Sequence, residues 1–167
     1  ADAYHLATEV ETVLPEDTLL SSLWPHVSDL LTVRTEPPGA SVRARPLPSD
    51  SMVDGEVLLG TTPLQDLRIP RTPHLLLIQK DGFVPVERLA SSALIRDESW
   101  GQDRSIVLEV TLVPEEEAPA GTVHVPGGRY ELVSPDLPSG LAAPLDGYFI
   151  GRFEVSNAGF RAFVADG

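Results

Sequence analysis

Apolar and polar positions along this chain repeat first at helical spacing, then at every second residue, and at the end at both. Over residues 3–14 the apolar side chains Leu6, Val10, Val13 and Leu14 recur as on one helix face, with Glu9 and Glu11 on others. Pro15 stops the pattern, because it lacks an amide hydrogen and restricts the residue before it. Asp17 is a good N-cap for a second segment carrying Leu19, Leu20, Leu23 and Trp24. Pro25 is expected to kink or end that helix, with Val27 and Leu30 in its continuation. Two short amphipathic helices joined at Pro15-Glu16-Asp17 read as a helical hairpin, a connector packed on the neighbouring domain.

From Leu31 the period becomes two. Leu31, Val33 and Thr35 alternate with Thr32 and Arg34, the pattern of a half-buried strand. Pro37-Pro38-Gly39-Ala40 is expected to reverse the chain, the prolines fixing φ and Gly39 taking a positive φ. Residues 41–45 then return, Val42 and Ala44 facing inward, with Arg34, Arg43 and Arg45 on the solvent face. Val57-Leu58-Leu59 is a short strand closed by Gly60-Thr61-Thr62-Pro63-Leu64, after which Leu67 and Ile69 alternate with an outward Arg68. Leu75-Leu76-Leu77-Ile78 is apolar throughout, as expected of a central strand buried on both faces. Asp81-Gly82 signals a hairpin into Phe83-Val84. Past Val86 the chain loosens through residues 91–104, then makes a last strand over residues 106–113 with Ile106, Leu108, Val110 and Leu112 on one side. Six or seven strands with frequent turn residues argue for two stacked antiparallel sheets.

Residues 114–121 carry three consecutive glutamates, two prolines and a glycine with no apolar period, and read as a linker. Beyond it, Thr122-Val123-His124-Val125 is a strand, Pro126-Gly127-Gly128 a hairpin turn and Arg129-Tyr130-Glu131-Leu132 the return. A proline-rich loop over residues 134–144 precedes the strand Tyr148-Phe149-Ile150-Gly151. A helix then opens at Glu154-Val155-Ser156-Asn157, with Phe160, Phe163 and Val164 on one face. The expected class is mainly β: a small antiparallel sandwich with an N-terminal helical hairpin and a partial α+β C-terminal unit.

Charge narrows the partners. Twenty-five acidic residues against 12 basic give a net charge of −13, which disfavours nucleic acid and anionic membranes. No apolar run approaches the ~18 residues of a membrane span. The absence of cysteine excludes disulfides, thiolate metal sites and cysteine nucleophiles. With no initiator Met and an amphipathic pattern still running at its end, the chain reads as an internal piece of a longer protein.

No catalytic, cofactor-binding or metal-ligating residue is expected. His5, His26, His74 and His124 lie in four segments without ligand spacing. The polar loop over residues 46–56, around Asp50 and Asp54, lacks the alternating ligands of an EF-hand. Gly127-Gly128 is followed by neither Lys-Ser/Thr nor a helix start, so it is a turn rather than a phosphate cradle.

Two families are resembled. Glu36-Pro37-Pro38-Gly39-Ala40, Gly60-Thr61-Thr62-Pro63-Leu64 and Lys80-Asp81-Gly82-Phe83 look like the turns of the PEGA domain, with Pro38 in the acidic position. That family is a small β-sandwich of bacterial surface and signalling proteins with no reaction attached. Val123 to Tyr130, reading Val-x-Val-Pro-Gly-Gly-x-Tyr, resembles the opening of the formylglycine-generating enzyme (sulfatase-modifying factor) family, as do Tyr148-Phe149-Ile150, Glu154-Val155-Ser156-Asn157, Phe160 and Phe163. Its reactive cysteines come late in the domain and are not in this stretch. Glu154 and Asn157 match its Glu-Val-x-Asn signature, and a structural task is expected of them, Asn157 capping the helix or Glu154 bonding buried amides. The hairpin also looks like a single tetratricopeptide-type unit, which cannot bury its own face alone.

The resemblances imply a layout of helical connector (residues 1–30), PEGA-like sandwich (31–113), acidic linker (114–121) and the start of a formylglycine-generating-enzyme-like domain (122–167). They further imply a non-catalytic binding or spacer region between a membrane-anchored serine/threonine kinase and that domain, on the extracytoplasmic side. The partner expected is a protein or cell-surface ligand, without nucleic acid, cofactor or membrane insertion. The competing reading is the front end of a formylglycine-generating enzyme or related iron or copper oxidase whose catalytic residues lie elsewhere.

Overall fold

A computed structural model describes residues 2–47, 55–92, 105–131 and 142–166. The acidic loop around Asp50 and Asp54, the stretch from Arg96 to Arg104 and most of the proline-rich loop lie outside the described residues. The fold is mainly β, with two N-terminal helices and one C-terminal helix.

The helices are α1 (Asp2–Val13) and α2 (Thr18–Val27). Asp17 caps α2 as expected, its Oδ1 accepting from the Leu20 amide at 2.8 Å. The helix ends two residues past Pro25, at Val27, so Pro25 lies in its last turn. Strand β1 (Ser28–Glu36) follows without a loop, so Leu30 belongs to a strand rather than to the helix. The Ser28 amide and hydroxyl both donate to the Trp24 carbonyl, which ties the helix end to the strand start.

Among the described residues, seven strands make two layers. β2 (Ser41–Pro46), β3 (Val57–Thr61), β5 (His74–Gln79) and β6 (Val86–Ala90) form one sheet in the order β3-β2-β5-β6. β4 (Leu64–Pro70), β1 and β7 (Ser105–Thr111) form the other in the order β4-β1-β7. Between them lies one core, in which Leu31, Val33, Ile69, Ile106 and Val110 meet Val42, Ala44, Leu76, Ile78, Val86 and Ala90. Among the described residues these strands pair antiparallel except β1 with β7, which is parallel.

Three strand expectations are corrected by the ladders. Pro37-Pro38-Gly39-Ala40 does not fold β2 back onto β1. It carries the chain from one layer to the other, since two prolines offer no ladder donors and the amides of Gly39 and Ala40 go to Thr62. Arg34 and Arg43 therefore sit on different sheets, paired with Glu109 and Glu56, and do not share one solvent face. After Asp81-Gly82 the return strand is β6, which pairs with β5 from Val86 onward, because Pro85 interrupts the ladder. Phe83 and Val84 instead meet Pro114 and Val113, and the chain stays regular to Ala90. β5 is central, but only one of its faces is fully buried: Leu76 and Ile78 are enclosed, while Leu75 and Leu77 are half-covered.

The C-terminal unit is a single long hairpin rather than a short one, turning at residues 126–128, followed by a separate strand. β8 (Thr122–Val125) pairs with β11 (Tyr148–Gly151), and β9 (Gly128–Glu131) pairs with β10 (Ala142–Leu145), part of the expected loop. Pro126-Gly127 thus lies opposite Asp146-Gly147, and a Cβ on Gly127 would stand 2.8 Å from the Gly147 nitrogen. Close backbone approach, not a hairpin turn, requires that glycine. α3 (Asn157–Asp166) follows, and Ser156 caps it, its Oγ accepting from the Gly159 amide at 3.1 Å. Neither structural task expected of the signature is performed as expected: Asn157 is the first helical residue, and Glu154 is exposed.

Candidate functional site

Polar chemistry concentrates at one end of the sandwich, where turns far apart in sequence come together. The junction is built on Thr62, a buried residue in a polar turn. Its carbonyl accepts from the Gly39 amide at 3.0 Å and its amide donates to the Ala40 carbonyl at 2.8 Å. Its hydroxyl oxygen accepts from the Gly39 and Ala40 amides at 3.1 and 3.0 Å. The same hydroxyl touches Thr35 Oγ1, which donates at 2.8 Å to the Pro37 carbonyl. Because that carbonyl can only accept, the Thr35 proton is committed to it and Thr62 must donate to Thr35. Every hydrogen-bonding capacity of the buried Thr62 hydroxyl is thereby used.

The third turn closes over this junction. Lys80 Nζ donates to the Pro38 carbonyl at 2.9 Å and lies 3.3 Å from where a Gly39 Cβ would be. Gly39, at φ +89°, supplies both the turn and the room for the amine. Around them Ser41, Thr61, Gln79, Lys80, Asp81, Phe83 and Glu115 line an open cleft of about 600 Å³. The acidic linker begins here. The Glu115 amide donates to the Gly82 carbonyl at 3.0 Å, before a single 3-10 turn over Glu115–Glu117. The cleft offers one amine, two exposed carboxylates and several hydroxyl and carbonyl groups, a set suited to hydrogen-bonding a polar segment. It contains no His, so no imidazole base stands beside Ser41 or Thr61.

The four histidines are dispersed. His5 and His26 are exposed on α1 and α2. His74, only 6 % exposed, starts β5, and its Nδ1 makes no hydrogen bond among the described residues. Burial pushes its imidazole below the ordinary value, partly opposed by the Thr72 backbone and the Asp29 carboxylate. His124 packs on Phe149 with ring centres 5.0 Å apart and the planes tilted by 40°, and burial with the nearby Arg88 guanidinium holds it low as well. Among the described residues no three His, Asp or Glu side chains gather as metal ligands, and no helix is long and apolar enough to cross a membrane.

The state of His74 sets a pH dependence. A histidine with a lowered folded value is protonated first in the unfolded chain, so its contribution is intact above the unfolded value near 6.5 and is lost as pH falls towards the folded one. Stability should decline below that point by up to ~1.4 kcal/mol per pH unit. His74→Leu should flatten that limb in urea melts at stepped pH, and an unchanged slope would assign the loss elsewhere.

Sequence reasoning also missed the partners of Arg68 and Arg71. Arg68 is not simply outward: its guanidinium lies 4.1 Å over the Trp24 ring and 3.3 Å from Glu11, and Tyr4 donates to its carbonyl at 3.0 Å. Arg71 Nε donates to the buried Asp29 carboxylate at 2.9 Å. An arginine outward on a strand beside a Trp-bearing helix was the available signal for the first, while the second had none. Compared with models of known families and with curated proteins, the chain matches none of them.

Proposed function

We propose that this chain is a non-catalytic binding or spacer region of a bacterial multidomain signalling protein, joining a membrane-anchored serine/threonine kinase to a formylglycine-generating-enzyme-like domain on the extracytoplasmic side. The observation that carries it is the meeting of the three PEGA-like turns. Residues near 39, 62 and 80 are remote in sequence, yet they bond to one another at one end of a two-layer sandwich. In this reading their chemistry serves architecture and a recognition rim, and the partner is a protein or cell-surface ligand taken at the cleft or along the edge strands β3 and β7.

A second reading rests on a different surface. Phe153, Val155, Phe160, Phe163 and Val164 are all strongly exposed around α3, an apolar area that a larger domain would cover. It supports the front end of a formylglycine-generating or related iron or copper oxidase. Deleting residues 28–113 from the intact protein separates the two. The spacer reading expects turnover of small substrates by the flanking domains to persist while the response of one to the other is lost. Loss of turnover itself would favour the enzymatic reading, and an intact protein without a kinase domain would overturn the linking role.

A further inference from the structure

A hairpin that only connects would bury its apolar stripe on the sandwich and turn a polar face outward. This one buries Tyr4, Ala7, Leu20 and Trp24 towards Arg68. Yet Leu6, Val10, Leu19 and Leu23 remain between 43 and 69 % exposed. They line an apolar groove of about 400 Å³ between α1 and α2, with Asp17 as its polar lining residue. The first 33 residues hold six carboxylates and no lysine or arginine. Glu11 and Asp29 are engaged by Arg68 and Arg71. Glu9, three residues from Leu6 on α1, and Glu16 and Asp17, in the turn, leave the groove with an acidic surround.

We propose that this groove docks a cationic amphipathic helix of another protein. Its floor suits apolar residues spaced i, i+3, i+4 and i+7, and its surround suits lysine or arginine on either side of them. The same charge disfavours the other occupants. A second copy would bring two acidic surrounds together on chains of net charge −13 each. An anionic bilayer would be repelled in the same way. The inference does not depend on the reading of the sandwich cleft, and either can fail alone.

The whole chain would be titrated by fluorescence anisotropy against a labelled synthetic helix of about 16 residues, with leucine at those four spacings and lysine elsewhere. Saturable one-to-one binding is expected, at least about tenfold weaker in the double variant Leu6→Ser/Leu23→Ser, since each loses a buried leucine contact. Raised salt should also weaken it. Both leucines face outward, and an unchanged thermal melt would show that the variant is folded. A peptide with glutamate for lysine, phosphatidylserine vesicles and sedimentation of the chain alone complete the set. Overturning results are binding that ignores the two leucines, equal binding of the glutamate peptide, vesicle binding, dimerisation lost in the double variant, or no saturable binding.

Discussion

Replacing Arg71 by alanine is expected to destabilise the fold by about 3–5 kcal/mol, because it leaves a buried carboxylate without its counter-ion. Asp29, only 2 % exposed, lies in β1 where the helical hairpin meets the sandwich. Arg71 Nε donates to it at 2.9 Å, Nη2 donates to the Ser28 carbonyl at 3.1 Å, and the Arg71 amide donates to the Val27 carbonyl at 3.0 Å. The side chain thus neutralises the carboxylate and fastens the helix-to-strand junction together. Urea melts would read the loss as a lower midpoint. The double variant Asp29→Leu/Arg71→Met should recover most of it, because removing both charges also removes their desolvation cost. A single-variant loss below about 1 kcal/mol would show that water reaches Asp29 and replaces the guanidinium.

Thr62→Val should cost about 2–4 kcal/mol, close to the first effect, although the two side chains have nearly the same shape. The hydroxyl that valine lacks is the acceptor for the Ala40 amide and the donor to Thr35, and Thr62 is 4 % exposed. The Gly39 amide keeps the Thr62 carbonyl as a partner, so the full penalty falls on Ala40 and Thr35. For a domain of this size a shift of roughly 10 °C or more in Tm follows. Thr61→Val, one residue earlier and exposed, is the control and should move stability by no more than about 0.5 kcal/mol. Equal melting of the two variants would remove the hydroxyl network from the account of how the layers are joined.

These two residues also mark the boundary of what could be read along the chain. The Asp17 cap, strand β11 and the inward set Ile106, Val110 and Leu112 were all legible, because each is a local rule of capping or periodicity. The Ser156 cap was narrowly misassigned to Asn157, since both types are good caps and only backbone geometry separates them. The convergence of the three turns into one cleft was not legible. Motif resemblance grouped them by family, while bonds such as that from Lys80 to the Pro38 carbonyl depend on which sheet each strand joins.

Periodicity and turn chemistry alone determined that this protein is mainly β, that the α-helices among its described residues lie towards the ends, and which side chains of most strands face inward. Tertiary structure decided the partners: β1 beside β4 and parallel β7 rather than beside β2, β8 beside β11 rather than β9, and Asp29 beside Arg71. The reason is physical. A period of two tells a residue which face it takes, but any strand with a matching face satisfies it. The choice among them is made by long-range hydrogen bonds and core packing, which no local stretch contains.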